Sequence, residues 1–165
     1  MNLSEDLLRK ARAVGLCQEH TDKWNVSWSK KDLLRYYKAN PNWCLKRQFP
    51  SLGYLRKYFK GGKARDMGVF IDEKNIALRP TSLIYVLVNS SMGILTNRIQ
   101  RFYLGLDSNV TFIVQDGGDI TIDYYDNSKV KVELRGDAKC TIYRYGDNEP
   151  VITGNSNNIR IRDKR

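Results

Sequence analysis

Four short phrases spaced ten residues apart constrain this chain more than anything else in it. Val110-Thr111-Phe112-Ile113-Val114, Ile120-Thr121-Ile122-Asp123-Tyr124, Val130-Lys131-Val132-Glu133-Leu134 and Cys140-Thr141-Ile142-Tyr143-Arg144 all begin at the same step of the count. Apolar and polar residues alternate through most of each phrase, with an apolar or long residue in fifth place, and such alternation buries one side of a strand. Polar turns separate them: Asp116-Gly117-Gly118, Asp126-Asn127-Ser128, Gly136-Asp137-Ala138 and Gly146-Asp147-Asn148. Strand plus turn at a fixed interval is a repeating β architecture. The pattern runs back less regularly through Val69–Ile71, Ile76–Leu78, Leu83–Val88, Met92–Leu95 and Phe102–Leu106, and forward through Val151-Ile152 and Ile159–Ile161.

A ten-residue unit fits an antiparallel meander or a solenoid with two units per coil. A shift of twenty favours the solenoid, because Thr121 then meets Thr141, Ile122 meets Ile142 and Tyr125 meets Tyr145. Stacking like on like is what parallel coils reward, since each buries its apolar face against the next. The expected fold is therefore α+β: a small basic helical domain over residues 1–62, then a short parallel β-helix over residues 63–165. About four or five coils are expected, with the helical head covering one end.

The first part is patterned for helices. Ser4 is placed to cap a helix with Leu7, Leu8, Ala11 and Val14 on one face, ended by Gly15. A second segment runs from Gln18 to Trp24. Ser29 and Asp32 have capping-box spacing ahead of Leu33, Leu34 and Tyr37, and Asn40-Pro41 stops that helix. A short helix over Asn42–Gln48 and another begun by Pro50-Ser51 follow. Gly61-Gly62 reads as a hinge to the strands.

Charge is divided unevenly. Residues 1–64 carry 14 Lys/Arg against 5 Asp/Glu, whereas residues 65–165 carry 14 against 13. An asymmetry of this kind points the first part towards an acidic or polyanionic partner. Short helices with basic residues on the last one suggest a helix-turn-helix in which Tyr54, Arg56, Lys57 and Lys60 face a nucleic acid. Lys30, Lys31, Lys46, Arg47 and Lys63 would then lie near phosphates. The alternative is a helical head with a solvated basic face. The interleaved aromatics suit base stacking or a small core, and Trp24 and Trp43 are expected in the core.

Catalytic chemistry finds little footing. His20 is the one histidine, no His/Cys/Asp/Glu spacing suits zinc, and no phosphate-binding glycine loop occurs. Cys44 has Lys46 and Arg47 nearby, yet Trp43 and Leu45 suggest burial. Asp116, Asp119, Asp123 and Asp126 read as solubilising residues on turns and outward strand positions, ahead of a carboxylate or calcium site. No enzyme activity, cofactor or metal is expected. Three widely spaced cysteines (Cys17, Cys44 and Cys140), no apolar run long enough to span a bilayer and no signal-peptide pattern lead to the expectation of a cytoplasmic protein with no membrane partner.

The repeat from Ile120 to Asn148 resembles the short β-helices of bactofilin-like scaffolds and of phage fibre and adhesin-head proteins. The first part, with Trp43-Cys44-Leu45, Phe49-Pro50-Ser51-Leu52 and Gly68-Val69-Phe70-Ile71-Asp72, resembles small proteins carried by phages and mobile elements of gut bacteria. The resemblance implies a mobile-element accessory protein. Three functions are expected in order. The first is a binding protein whose head engages nucleic acid or a nucleic-acid-containing host machine, such as a CRISPR-type defence nuclease that it inhibits, with the solenoid as a protein-binding face. The second is a virion or scaffold part that assembles through the solenoid, and the third a polysaccharide-active β-helix enzyme. The basic tail Arg160, Arg162, Lys164 and Arg165 is expected to oppose end-to-end growth, leaving a monomer or small oligomer.

Overall fold

The computed structural model describes residues 2–165 and contains six helices followed by eleven strands. The helices are α1 Leu3–Ala13, α2 Gln18–Asp22, α3 Lys30–Ala39, α4 Pro41–Lys46, α5 Leu52–Tyr58 and α6 Gly62–Asp66. Asn2, and not Ser4, caps α1: its side chain accepts from the Glu5 N–H, and Glu5 accepts in return from the Asn2 N–H. Ser4 is buried instead, donating to the Asn25 carbonyl and accepting from the Trp24 indole, both at 2.9 Å. The Ser29–Asp32 capping box opens α3 as its spacing indicates. Pro41, whose ring suits the first turn, starts α4 one residue before the expected Asn42. Gly61, at φ 134°, caps α6, so the Gly-Gly pair lies one short helix ahead of the first strand.

The strands are β1 Val69–Ile71, β2 Ile76–Leu78, β3 Ile84–Val88, β4 Ser91–Thr96, β5 Ile99–Gly105, β6 Asn109–Val114, β7 Asp119–Tyr124, β8 Lys129–Leu134, β9 Lys139–Arg144, β10 Val151–Gly154 and β11 Ile159–Asp163. Odd strands form one six-stranded sheet in the order β1-β3-β5-β7-β9-β11, and even strands form a five-stranded one. All pairs are parallel, giving a β-solenoid of roughly five turns. Thr121 pairs with Thr141 and Ile122 with Ile142, the shift of twenty read from the repeat. Earlier coils are shorter: Val69 pairs with Val86 and Ile84 with Arg101, seventeen residues on in each case.

Two cores result. Inside the coil, Phe102, Ile122 and Ile142 form one column and Ile94, Phe112 and Val132 face them, all at 1% exposure or less. Buried Ser90, Ser108 and Ser128 stack at a corner and donate to the carbonyls of Val88, Gly105 and Leu106. The second core lies outside the coil. Leu33, Leu34, Leu45 and Leu55 of the helices, with Phe59 just after α5, pack on Val69, Ile71, Val86 and Val88, and the cluster extends to Tyr103 and Tyr125. The helices therefore lie across the outer face of the six-stranded sheet rather than covering an end of the solenoid. At Gly105 the approach is close: an added Cβ would stand 2.6 Å from the Leu45 Cδ2. Continuous apolar strands explain the docking. Strands β1 and β3 are apolar on both faces, and a strand of that kind needs cover on both.

Candidate polyanion-binding groove

Ser29 caps α3 and so fixes Lys30 and Lys31 at its first turn, while Gly61 turns the chain sharply between Lys60 and Lys63. These two places face each other across an open groove of about 940 Å³. Leu34, Phe59 and Met67 line it between Lys30, Lys31, Lys60 and Lys63, and the acidic residue on its border is Asp66. All four lysines are exposed. Tyr58 also lines the groove, half-buried, with the Lys30 ammonium 6.0 Å from its ring centre and that of Lys57 at 4.9 Å. Such an arrangement can hold several phosphate or carboxylate groups, while the Tyr58 ring packs on Tyr54 with centres 4.6 Å apart.

The other candidates have intramolecular partners or lie elsewhere. Arg56 donates twice to Asp72, at 2.5 and 2.9 Å, which locks α5 to the end of β1. That guanidinium holds the Asp72 carboxyl well below the usual carboxylate range, with Asn89 adding a hydrogen bond at 2.6 Å. Lys60 also reaches Asp72, at 3.4 Å. The Tyr54 hydroxyl donates to Asp6 at 3.0 Å. Arg47 donates to the Val14 carbonyl at 2.9 Å and lies over Trp43 at 5.1 Å. Lys46 is exposed at the end of α4 and does not line the groove. Five of the nine basic and aromatic positions thus meet around the groove, counting Lys57 through Tyr58. Tyr54 and Arg56 are each engaged by a carboxylate of this chain, Asp6 and Asp72, although Arg56 stays exposed at the surface.

Several other residues are placed by the fold. Trp24 is buried, and Trp43 is partly buried against the same helical core. Burial pushes the Cys44 thiol far up and that of Cys140 to about 12, so both stay protonated. His20 contacts the Tyr36 hydroxyl at 2.8 Å through Nδ1. Asp116 and Asp137 build a turn ladder in which each accepts from the other's loop backbone, at 2.8 and 2.7 Å. Among the described residues no group of three His, Cys, Asp or Glu side chains could hold a metal ion.

Asp123 overturns the solubilising reading for one of the four acids. It faces outwards from the six-stranded sheet yet is 0% exposed, because Arg101 closes over it with bonds of 2.9 and 3.0 Å. Burial raises the Asp123 pKa, against the opposing effect of Arg101. The Arg101 guanidinium also sits 5.1 Å from the Tyr103 ring and 5.7 Å from that of Tyr143, and Arg162 lies 5.7 Å from Tyr143 as well. Tyr125 and Tyr145 stack beside them with ring centres 4.6 Å apart. This arginine–tyrosine ladder escaped the sequence reading, although the twenty-residue shift does align Tyr103, Asp123 and Tyr143 in one row.

Comparison with protein families, curated proteins and solved structures finds no match to this chain. The fold class defined above is thus the class of this protein: α+β, with a parallel β-solenoid.

Proposed function

We propose that this chain is a non-enzymatic binding protein that holds nucleic acid, or a nucleic-acid-bearing surface of a host machine, in the lysine groove. The solenoid is the rigid frame to which the groove is fixed. The observation that carries the reading is the convergence of Lys30, Lys31, Lys60 and Lys63, from separate stretches of chain, on one open groove beside Tyr58. A basic face that merely kept the chain in solution would not need to gather its lysines in a concavity. A mobile-element protein that blocks a defence nuclease is one setting for such a head, and it rests on the sequence resemblance alone.

Salt dependence tests the proposal. About four phosphate contacts with a single strand give a slope of log K on log salt near −3, or about a 50-fold loss between 50 and 200 mM. Changing Lys30, Lys31 and Lys63 together to Glu should abolish binding of a labelled oligonucleotide and leave the melting temperature nearly unchanged. Arg56 is left out of that variant because it holds Asp72. Binding that ignores salt, or that survives the triple change, refutes the groove.

A further inference from the structure

In the last coil of the described residues, β10 and β11 are each paired on one side only. From β11 we infer that this edge receives an extended segment of a partner protein in which acidic and apolar residues alternate. The inference is independent of the lysine groove.

Backbone geometry comes first. The Lys164 N–H donates to the Arg144 carbonyl at 2.8 Å, so residues 160, 162 and 164 turn their backbone groups to β9. By alternation the groups of Ile159, Ile161 and Asp163 face the open edge. The Ile159 N–H is taken by the Ser156 carbonyl. Ile161 and Asp163 therefore offer N–H and C=O pairs to an added strand, which is the geometry of strand addition.

Side chains then set what kind of strand fits. Ile161 continues the column of Phe102, Ile122 and Ile142, which are fully buried, yet Ile161 itself is 49% exposed. An apolar side chain on the incoming strand would cover it. On the outward face Arg160, Arg162 and Lys164 are all exposed, and among the described residues none has a carboxylate within ion-pairing distance. Asp163 does not offset them, since Arg165 engages it at 2.7 Å. Arg162 is oriented by the Tyr143 ring. The row of three cations opposes a second copy of the same edge and favours carboxylates at every other position of the guest.

The test uses the full chain and a fluorescein-labelled peptide of alternating Glu and Val, about six residues long as ordinary strands are. Anisotropy should show saturable binding below about 1 mM. A peptide of alternating Lys and Val, and one with the same Glu and Val in two blocks, should not bind. Ile161→Pro removes an edge donor while leaving the β9 ladder intact, and should weaken binding at least about tenfold. Arg160→Glu with Arg162→Glu should do likewise, with an unchanged circular dichroism spectrum in both variants. The Lys30, Lys31 and Lys63 triple variant should bind the peptide as the parent does, which separates this edge from the groove. No binding, equal binding of the control peptides, insensitivity to Ile161→Pro, or loss in the groove variant overturns the inference. Concentration-dependent growth of the protein into dimers or fibres through this edge overturns it too, in favour of a second copy as occupant.

Discussion

Arg101→Met is the sharpest probe of the solenoid's outer face. The change keeps a long side chain over Tyr103 and Tyr143 but removes both bonds to Asp123, whose side chain is 1% exposed. Breaking a buried pair by removing one partner costs about 3–5 kcal/mol. Arg101 keeps 40% of its side chain exposed, so water already screens the pair, and the lower figure of about 3 kcal/mol applies at pH 7. For a chain of this size that is a fall in melting temperature of about 6–12 °C. The pH dependence has a definite sign. Burial already holds the folded Asp123 pKa above its ordinary 3.8, and losing Arg101 raises it further. The folded variant then keeps a proton that the unfolded chain releases. Its stability is full below the unfolded value and falls as pH rises through the folded one. The gap between parent and variant should therefore shrink on going from pH 7 to pH 4. Arg101→Met combined with Asp123→Leu should recover most of the loss, because no lone charge remains. Differential scanning calorimetry at the two pH values decides it. A drop below about 2 °C, a gap that does not shrink at acid pH, or a double variant no better than the single one would refute the reasoning.

Thiol labelling checks the burial of both cores at once: the native chain should react rapidly at Cys17 alone, and all three cysteines should react in denaturant. Reaction at Cys44 or Cys140 without denaturant would contradict their placement. Gly105→Ala crowds Leu45 where the helices meet the sheet and should destabilise the protein by about 1–3 kcal/mol, read as a shift in the urea midpoint. Gly93→Ala, with nothing within 4 Å of the added carbon, is its control and should shift the midpoint far less.

The register of the solenoid was legible because a parallel coil must repeat its own side chains. Ile122 over Ile142 and Thr121 over Thr141 follow from that alone. The seat of the helical part was written in the sequence less openly. From Ile120 to Tyr143 the strands alternate, whereas Val69-Phe70-Ile71 and Ile84-Tyr85-Val86-Leu87-Val88 do not. That loss of alternation marks strands covered on both faces. An end cap has no use for outward-facing Val86 and Val88, both buried at 1% exposure or less, and a lateral head does.

The groove and the buried acid were legible to different degrees for the same physical reason. Lysines announce a partner through net charge, but charge says nothing of which ones meet. Lys30 and Lys63 face one groove only because α3 and α6 pack on the same apolar rows of β1 and β3. Arg56 carries the same charge and sits close by in sequence, yet the fold spends it on Asp72, the first residue after β1. Asp123 is the converse: an acid at an outward position looks solvated until the coil length is known, because its partner stands twenty-two residues back on the neighbouring strand. The twenty-residue coil that places Asp123 between Tyr103 and Tyr143 also makes Ile161 the last member of its column among the described residues. Regular stacking therefore determines both the rigid face and the pattern of the β11 edge, and a partner that recognises that edge must continue the same alternation.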